Sequence, residues 1–174
     1  IKNYGRMQRT YTFTDIEVDI DGKGDKVNPR FVLRNSYDGS WSVNLLVGAY
    51  RLVCSNGMII GREIFSFSKK HLGRETRNIF REKVIEGFKV FLEESERWKK
   101  WTEITLEEKK KEEIINTVGF SKKDKEIIET EASKYNVLTL WIFYNILTWY
   151  ITHKVNSLLK RVRLEARLSK IKLQ

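Results

Sequence analysis

The stretch AYRLVCSNGMIIG, Ala49 to Gly61, decides the fold, because it reads as two strands joined by a turn. In YRLVC a period of two puts Tyr50, Leu52 and Cys54 on one face and Arg51 on the other. Asn56 and Gly57 both tolerate positive φ, so the pair predicts a tight hairpin turn. Cys54 then closes one strand on the core side as a small hydrophobe, and Met58 opens its antiparallel partner.

Toward the N-terminus the same period recurs. FTDIEVDI alternates strictly, with Ile16, Val18 and Ile20 on one face and Asp15, Glu17 and Asp19 on the other, which predicts a half-buried strand. RFVLR sends Phe31 and Leu33 inward and Arg30 and Arg34 outward. NSYDGS supplies a turn with Asp38-Gly39 at its tip. WSVNLLVG leads into AYRLVC through Gly48, and MIIGREIFSFSKK is the last strand. Residues 1–72 are therefore the β part, with an antiparallel sheet over about residues 9–70.

Toward the C-terminus the period becomes helical. Phe80, Val84, Phe88 and Leu92 form a stripe, with Ile85 and Phe91 beside it, and predict a long amphipathic helix within residues 73–101. Residues 102–136 read as a charged connector of two short, mostly solvated helices. Thr105-Leu-Glu-Glu108 and Ser121-Lys-Lys-Asp124 look like capping boxes, and Gly119 ends the helix between them. VLTLWIFYNILTWYITH is apolar on nearly every side yet shorter than a membrane span, so it predicts a central buried helix. Its polar stripe Asn145, Thr148 and Thr152 reads as satisfying the backbone of a neighbouring turn, such as Asn56-Gly57, with a ligand pocket as the alternative. Lys154 to Lys172 is a basic helix that ends the segment 137–174. Residues 1–174 thus form a single α+β domain, an antiparallel sheet packed against a long helix and followed by a helical C-terminal half.

At 174 residues and 41% apolar content the chain suffices for one core. A single cysteine excludes an internal disulfide and any cysteine-based zinc site, and suggests a reducing, cytoplasmic setting. No signal-peptide pattern is visible, and Ile at position 1 is compatible with a trimmed version of a longer protein. The net charge of +10 favours polyanionic partners. Residues 102–136 carry seven basic and nine acidic side chains, whereas 137–174 carry seven basic ones against Glu165 alone. The excess is concentrated at the C-terminus.

Several pieces together resemble a known family. PRFVLRNSYDGSWSVNL, GAYRLVCSNGMIIG, KKHLG and TLWIFYNILTWYITH are similar to the phage/plasmid-like domain family, a domain of unknown function, over about Pro29 to His153. The resemblance implies no established activity and no catalytic residue. It associates the chain with mobile elements and hence with DNA transactions.

Four chemistries compete. Cys54 with His71 or His153 makes a Cys-His pair arithmetically available, but a core-facing thiol with no activating neighbour is a packing residue. DIDGKGD, Asp19 to Asp25, is similar to a calcium loop, yet Lys23 stands at its fifth position and no bidentate Glu follows. Asp15, Glu17, Asp19 and Asp21 share a strand face that would suit a two-metal nuclease, against the simpler solvated acidic face. No catalytic residue, metal ligand or cofactor is assigned on these grounds.

Nucleic-acid binding is the strongest reading. Arg30, Arg34 and Arg51 are expected on one outer face of the sheet, and Lys69, Lys70, Arg74 and Arg77 bracket the strand-to-helix junction. Tyr37 and Trp41 stand near a turn, where rings stack on unpaired bases while cations follow phosphates. Lys160, Arg163, Arg167 and Lys170 fall on one helical stripe that extends this face or meets a neighbouring subunit. The order of sheet then helix also resembles the core of single-strand annealing recombinases. The expectation is a non-catalytic protein of a mobile element that binds single-stranded DNA in annealing, recombination or replication, compatible with a homo-oligomer and with no membrane partner. The alternatives are a phage or plasmid interaction protein, such as an inhibitor of host defence, and a metal-dependent nuclease.

Overall fold

The computed structural model describes residues 5–40, 42–52, 56–67 and 74–171, with the backbone alone for 56–67, 74–77, 79 and 80. The sheet is built from β1 (Arg6–Thr12), β2 (Val18–Asp19), β3 (Lys26–Ser36), β4 (Val43–Arg51) and β5 (Asn56–Phe67). It is antiparallel in the order β1-β3-β4-β5, with the short β2 paired to the start of β3. The helices are α1 (Arg74–Trp101), α2 (Glu108–Val118), α3 (Lys122–Ala132), α4 (Leu140–His153) and α5 (Leu158–Leu168). The chain is therefore α+β, strands first and helices after.

The β4–β5 hairpin forms, but not around Asn56-Gly57. Asn56 pairs with Arg51 and Gly57 with Tyr50, so both belong to β5 and are ladder residues. Cys54 lies outside the described residues. The strand expected over FTDIEVDI, Phe13 to Ile20, shrinks to Val18–Asp19. Side chains compete with the ladder here: Asp19 accepts from the backbone N–H of Gly22 and Gly24, and Asp21 from those of Lys23 and Asp25.

On one face of β3 and β4, Val27, Phe31, Leu45, Val47 and Ala49 are almost fully buried. The Phe31 ring packs edge-on against Phe88 of α1 at 5.2 Å, and Phe13 joins both. The buried side of α1 runs through Phe91, Ser95 and Trp98, with Val84 and Phe88 partly covered. Leu92, placed in the stripe by its spacing, is 52% exposed, and so is Ile85 at 51%. The reason is geometric: steps of four residues drift about 40° each around a 3.6-residue helix, so a strict i+4 row leaves the core.

In the connector, Ser121 and Asp124 form the expected capping box, and Gly119 ends α2 in the left-handed region at φ 78°. Thr105 does not cap α2; it bridges Thr139, and Glu107 precedes the helix without a side-chain cap. These helices are less solvated than their charge suggests, burying Ile114, Ile115, Val118, Ile128 and Ala132. Helix α4 has ten of its fourteen residues buried. Within its polar stripe, Asn145 Nδ2 donates to the Trp141 carbonyl at 2.8 Å and Thr148 Oγ1 to that of Asn145 at 3.0 Å, both on the helix's own backbone. Among the described residues no helix is long and apolar enough to cross a membrane.

Candidate nucleic-acid interface

Helix α5 starts where Ser157 accepts from the Lys160 backbone N–H, and it anchors itself through buried Leu164 and Leu168. That register leaves Lys160, Arg163, Arg167 and Lys170 all exposed, the last just past the helix end. The stripe expected from spacing is thus a surface stripe. Two of its members are also tethered. Lys160 Nζ reaches both oxygens of buried Asp124, at 2.9 and 3.2 Å, and Arg167 Nη1 donates to the Val118 carbonyl at 3.2 Å. Gly119 makes room for that guanidinium, since a Cβ there would stand 2.5 Å from Arg167 Nη1. The side chains of Arg163 and Lys170 make no ion pair or hydrogen bond among the described residues.

Asp124 ties α3, α4 and α5 together. Burial alone would push its carboxyl up, but the Tyr150 hydroxyl at 2.5 Å, Lys160 and the Ser121 cap outweigh it and bring the pKa down to about 2. Burial and the bond to Asp124 raise the Tyr150 phenol in turn. The tether brings the first turn of α3, with exposed Lys122 and Lys123, beside the start of α5.

The sheet arginines divide. Arg30 pairs in register with Gly48, and Arg34 with Asn44, which puts both on the face opposite Phe31. Arg51 pairs with Val27 and so lies on the Phe31 face. The single outer face expected for the three therefore does not form. Arg51 is 15% exposed and locked: its Nε and Nη2 donate to the two oxygens of Asp25 at 2.6 and 2.7 Å, and Trp141 Nε1 donates to the same carboxylate at 2.8 Å. It points to the core because a partner neutralises it there.

On the other face Arg34 Nη2 donates to Glu165 of α5 at 2.8 Å, and its Nε to Gln8 at 2.9 Å. Burial pushes the Glu165 carboxyl up, against the pull of Arg34, Arg161 and Arg30. Arg30 lies over the Tyr50 ring at 5.5 Å.

Of the remaining expected residues, Trp41, Lys69 and Lys70 lie outside the described residues, and the side chains of Arg74 and Arg77, in the first turns of α1, are not described. Tyr37, at the tip between β3 and β4, is 86% exposed. A cavity of about 220 Å³ beside α4 is lined by Arg51, Glu131, Asn145, Tyr135 and Trp149 among others. Its charges are matched, Arg51 by Asp25 and Glu131 by Lys134. Among the described residues no three His, Cys, Asp or Glu side chains gather as metal ligands.

Residues 3–172 match the family described as Domain of unknown function (DUF932). The chain belongs to that family. Over 73 residues it is 30% identical to the UPF0380 protein YafZ of Escherichia coli (strain K12), a stretch that covers 42% of this chain and 26% of that protein. The match thus spans about a quarter of that relative's length. No solved structure matches.

For this member of the DUF932 family, pattern reading passed over four residues of the site. Lys122 and Lys123 look like ordinary connector charge until Asp124 anchors them beside α5. Glu165 and Arg161 fall off the basic stripe. One signal pointed to Glu165: it is the lone acid among seven bases in the last 38 residues, as residues 137–174 read.

Proposed function

We propose that this DUF932 chain is a non-catalytic nucleic-acid-binding protein whose preferred ligand is single-stranded DNA. One observation carries the reading. The exposed face of α5 presents Lys160, Arg163, Arg167 and Lys170, joined by Lys122 and Lys123, while the one acid of the helix, Glu165, is turned onto the sheet. Such a stripe follows a phosphate backbone without reading sequence. The exposed Tyr37 ring offers a platform for an unpaired base. The favoured setting is the cytoplasm, as an annealing, recombination or replication accessory of a mobile element.

The test is retention of matched single- and double-stranded oligonucleotides at several salt concentrations. The expected result is retention of single strands of any sequence at low salt, weakening steeply as salt rises. Failure to retain any oligonucleotide at low salt ends the proposal. A second reading, an interaction protein or homo-oligomer, is favoured by Ile85 and Leu92, two exposed apolar residues one heptad apart on α1. It predicts a mass above the monomer in solution that Ile85→Lys restores to monomer.

A further inference from the structure

The face of β3 that meets α5 holds more positive charge than the described side chains neutralise. Arg34 pairs directly with Glu165, and Arg30 and Arg161 stand near enough to act on the same carboxylate through charge. Arg34 is satisfied by Glu165 and Gln8. Arg30 is not: it is half-buried, its Nε is fully enclosed, and its guanidinium makes no hydrogen bond among the described residues. Arg161 gives one bond, from Nη2 to the Val155 carbonyl at 3.0 Å, and its Nε is also enclosed without an acceptor. A guanidinium carries five donors and cannot escape its charge by losing a proton. Enclosing such donors unmet costs more than enclosing neutral ones, and buried polar groups are as a rule hydrogen-bonded. Arg51, on the opposite face, shows how this chain treats an arginine that serves the fold alone: it supplies a carboxylate.

Charge sets the class of the missing acceptor. Among the described side chains, the three guanidinium groups and Glu165 leave a surplus of two positive charges. A phosphate monoester carries about two negative charges at neutral pH and three acceptor oxygens, and guanidinium forks match its geometry. An internal phosphodiester carries one charge and is flanked by two sugars, which suits the open stripe of α5 better than a half-buried site.

We infer that Arg30 and Arg161, with Arg34 and Glu165 between them, form a binding site for a phosphate monoester dianion between β3 and α5. The source is either a free phosphorylated small molecule or the terminal phosphate of a strand, and the second alternative rests on the nucleic-acid reading above.

The test begins with the wild-type chain and inorganic phosphate, followed by thermal unfolding and by calorimetric titration at matched ionic strength. Saturable binding is expected, with an unfolding midpoint that rises in phosphate but not in chloride. Arg30→Gln and Arg161→Gln should abolish the rise, while Lys89→Gln, an equal change of charge on exposed α1, should keep it. A phosphate effect no larger than that of chloride, or one lost equally in Lys89→Gln, overturns the site. The calorimetric arm needs no variant, so a misfolded substitution does not leave the question open. A second arm compares 5′-phosphorylated and 5′-hydroxyl oligonucleotides of one sequence. A preference for the phosphorylated strand of roughly tenfold, lost in Arg30→Gln, identifies a strand end. Equal binding of both strands, with phosphate still stabilising, supports a free phosphorylated ligand. Phosphate stabilisation without any oligonucleotide binding supports the site while removing the nucleic-acid function.

Discussion

The two faces of β3 and β4 treat arginine in opposite ways. On the Phe31 face Arg51 meets a carboxylate that fits its fork and is also bonded by Trp141, beside buried Val27, Val47 and Ala49. On the α5 face Glu165 pairs with Arg34, while the nearby Arg30 and Arg161 keep an enclosed Nε without an acceptor. The first arrangement completes itself and serves the fold. Among the described side chains the second is incomplete in charge and in hydrogen bonds, and it lies beside the basic stripe of α5. Surplus, rather than the number of basic residues, separates a candidate ligand face from a structural one.

The comparison breaks most visibly on the matched side. Phe143→Ala, in a helix residue 1% exposed, should cost about 3–5 kcal/mol in denaturant unfolding. Asp25→Ala should cost a similar amount, about 3–5 kcal/mol, because it strands Arg51 and removes the Trp141 acceptor. A cost below about 0.5 kcal/mol, as at ordinary surface sites, would show that Arg51 is not the structural member of the contrast.

Acidification sharpens it next. The carboxyl of Asp124 is held at about 2 from an ordinary 3.8, so its contribution is complete above about 3.8 and disappears as pH falls through about 2. At about 1.4 kcal/mol per pH unit this is worth about 2 kcal/mol. Asp124→Asn should therefore cost about 2 kcal/mol at pH 7 and almost nothing near pH 2, measured by unfolding at each pH. The raised Glu165 carboxyl has the opposite sign: its protonation is easier in the folded chain, so acid does not remove stability through it. The smallest effect belongs to Arg30→Gln, which removes surplus charge and should change stability by less than about 1 kcal/mol in phosphate-free buffer. A loss of 3 kcal/mol or more would make Arg30 the equal of Arg51.

Much of this contrast is invisible in local pattern. Alternation correctly separates Tyr50 from Arg51 and Phe31 from Arg30, because strand period is local. It does not say which face an arginine can afford to bury. That depends on partners 26 and 131 residues away, Asp25 for Arg51 and Glu165 for Arg34. The α5 stripe was legible because spacing of three and four residues and the near absence of acids are both local features. The hairpin was legible as a hairpin but misplaced at its tip, since Asn56-Gly57 fits a strand start as well as a turn. Lys122 and Lys123 were not legible, because their place beside α5 depends on Asp124 accepting from Lys160 across 36 residues.

The most direct test of the central claim is the salt dependence of binding to a single-stranded oligonucleotide by the wild-type chain and by Arg163→Glu with Lys170→Glu. If α5 follows the phosphate backbone, log affinity falls linearly with log salt, by about 0.7 per contact. The double variant should then bind more weakly, with a slope shallower by roughly 1.4 and an unchanged unfolding midpoint. Equal affinity and equal slope for the two proteins would contradict the assignment of α5 as the nucleic-acid face.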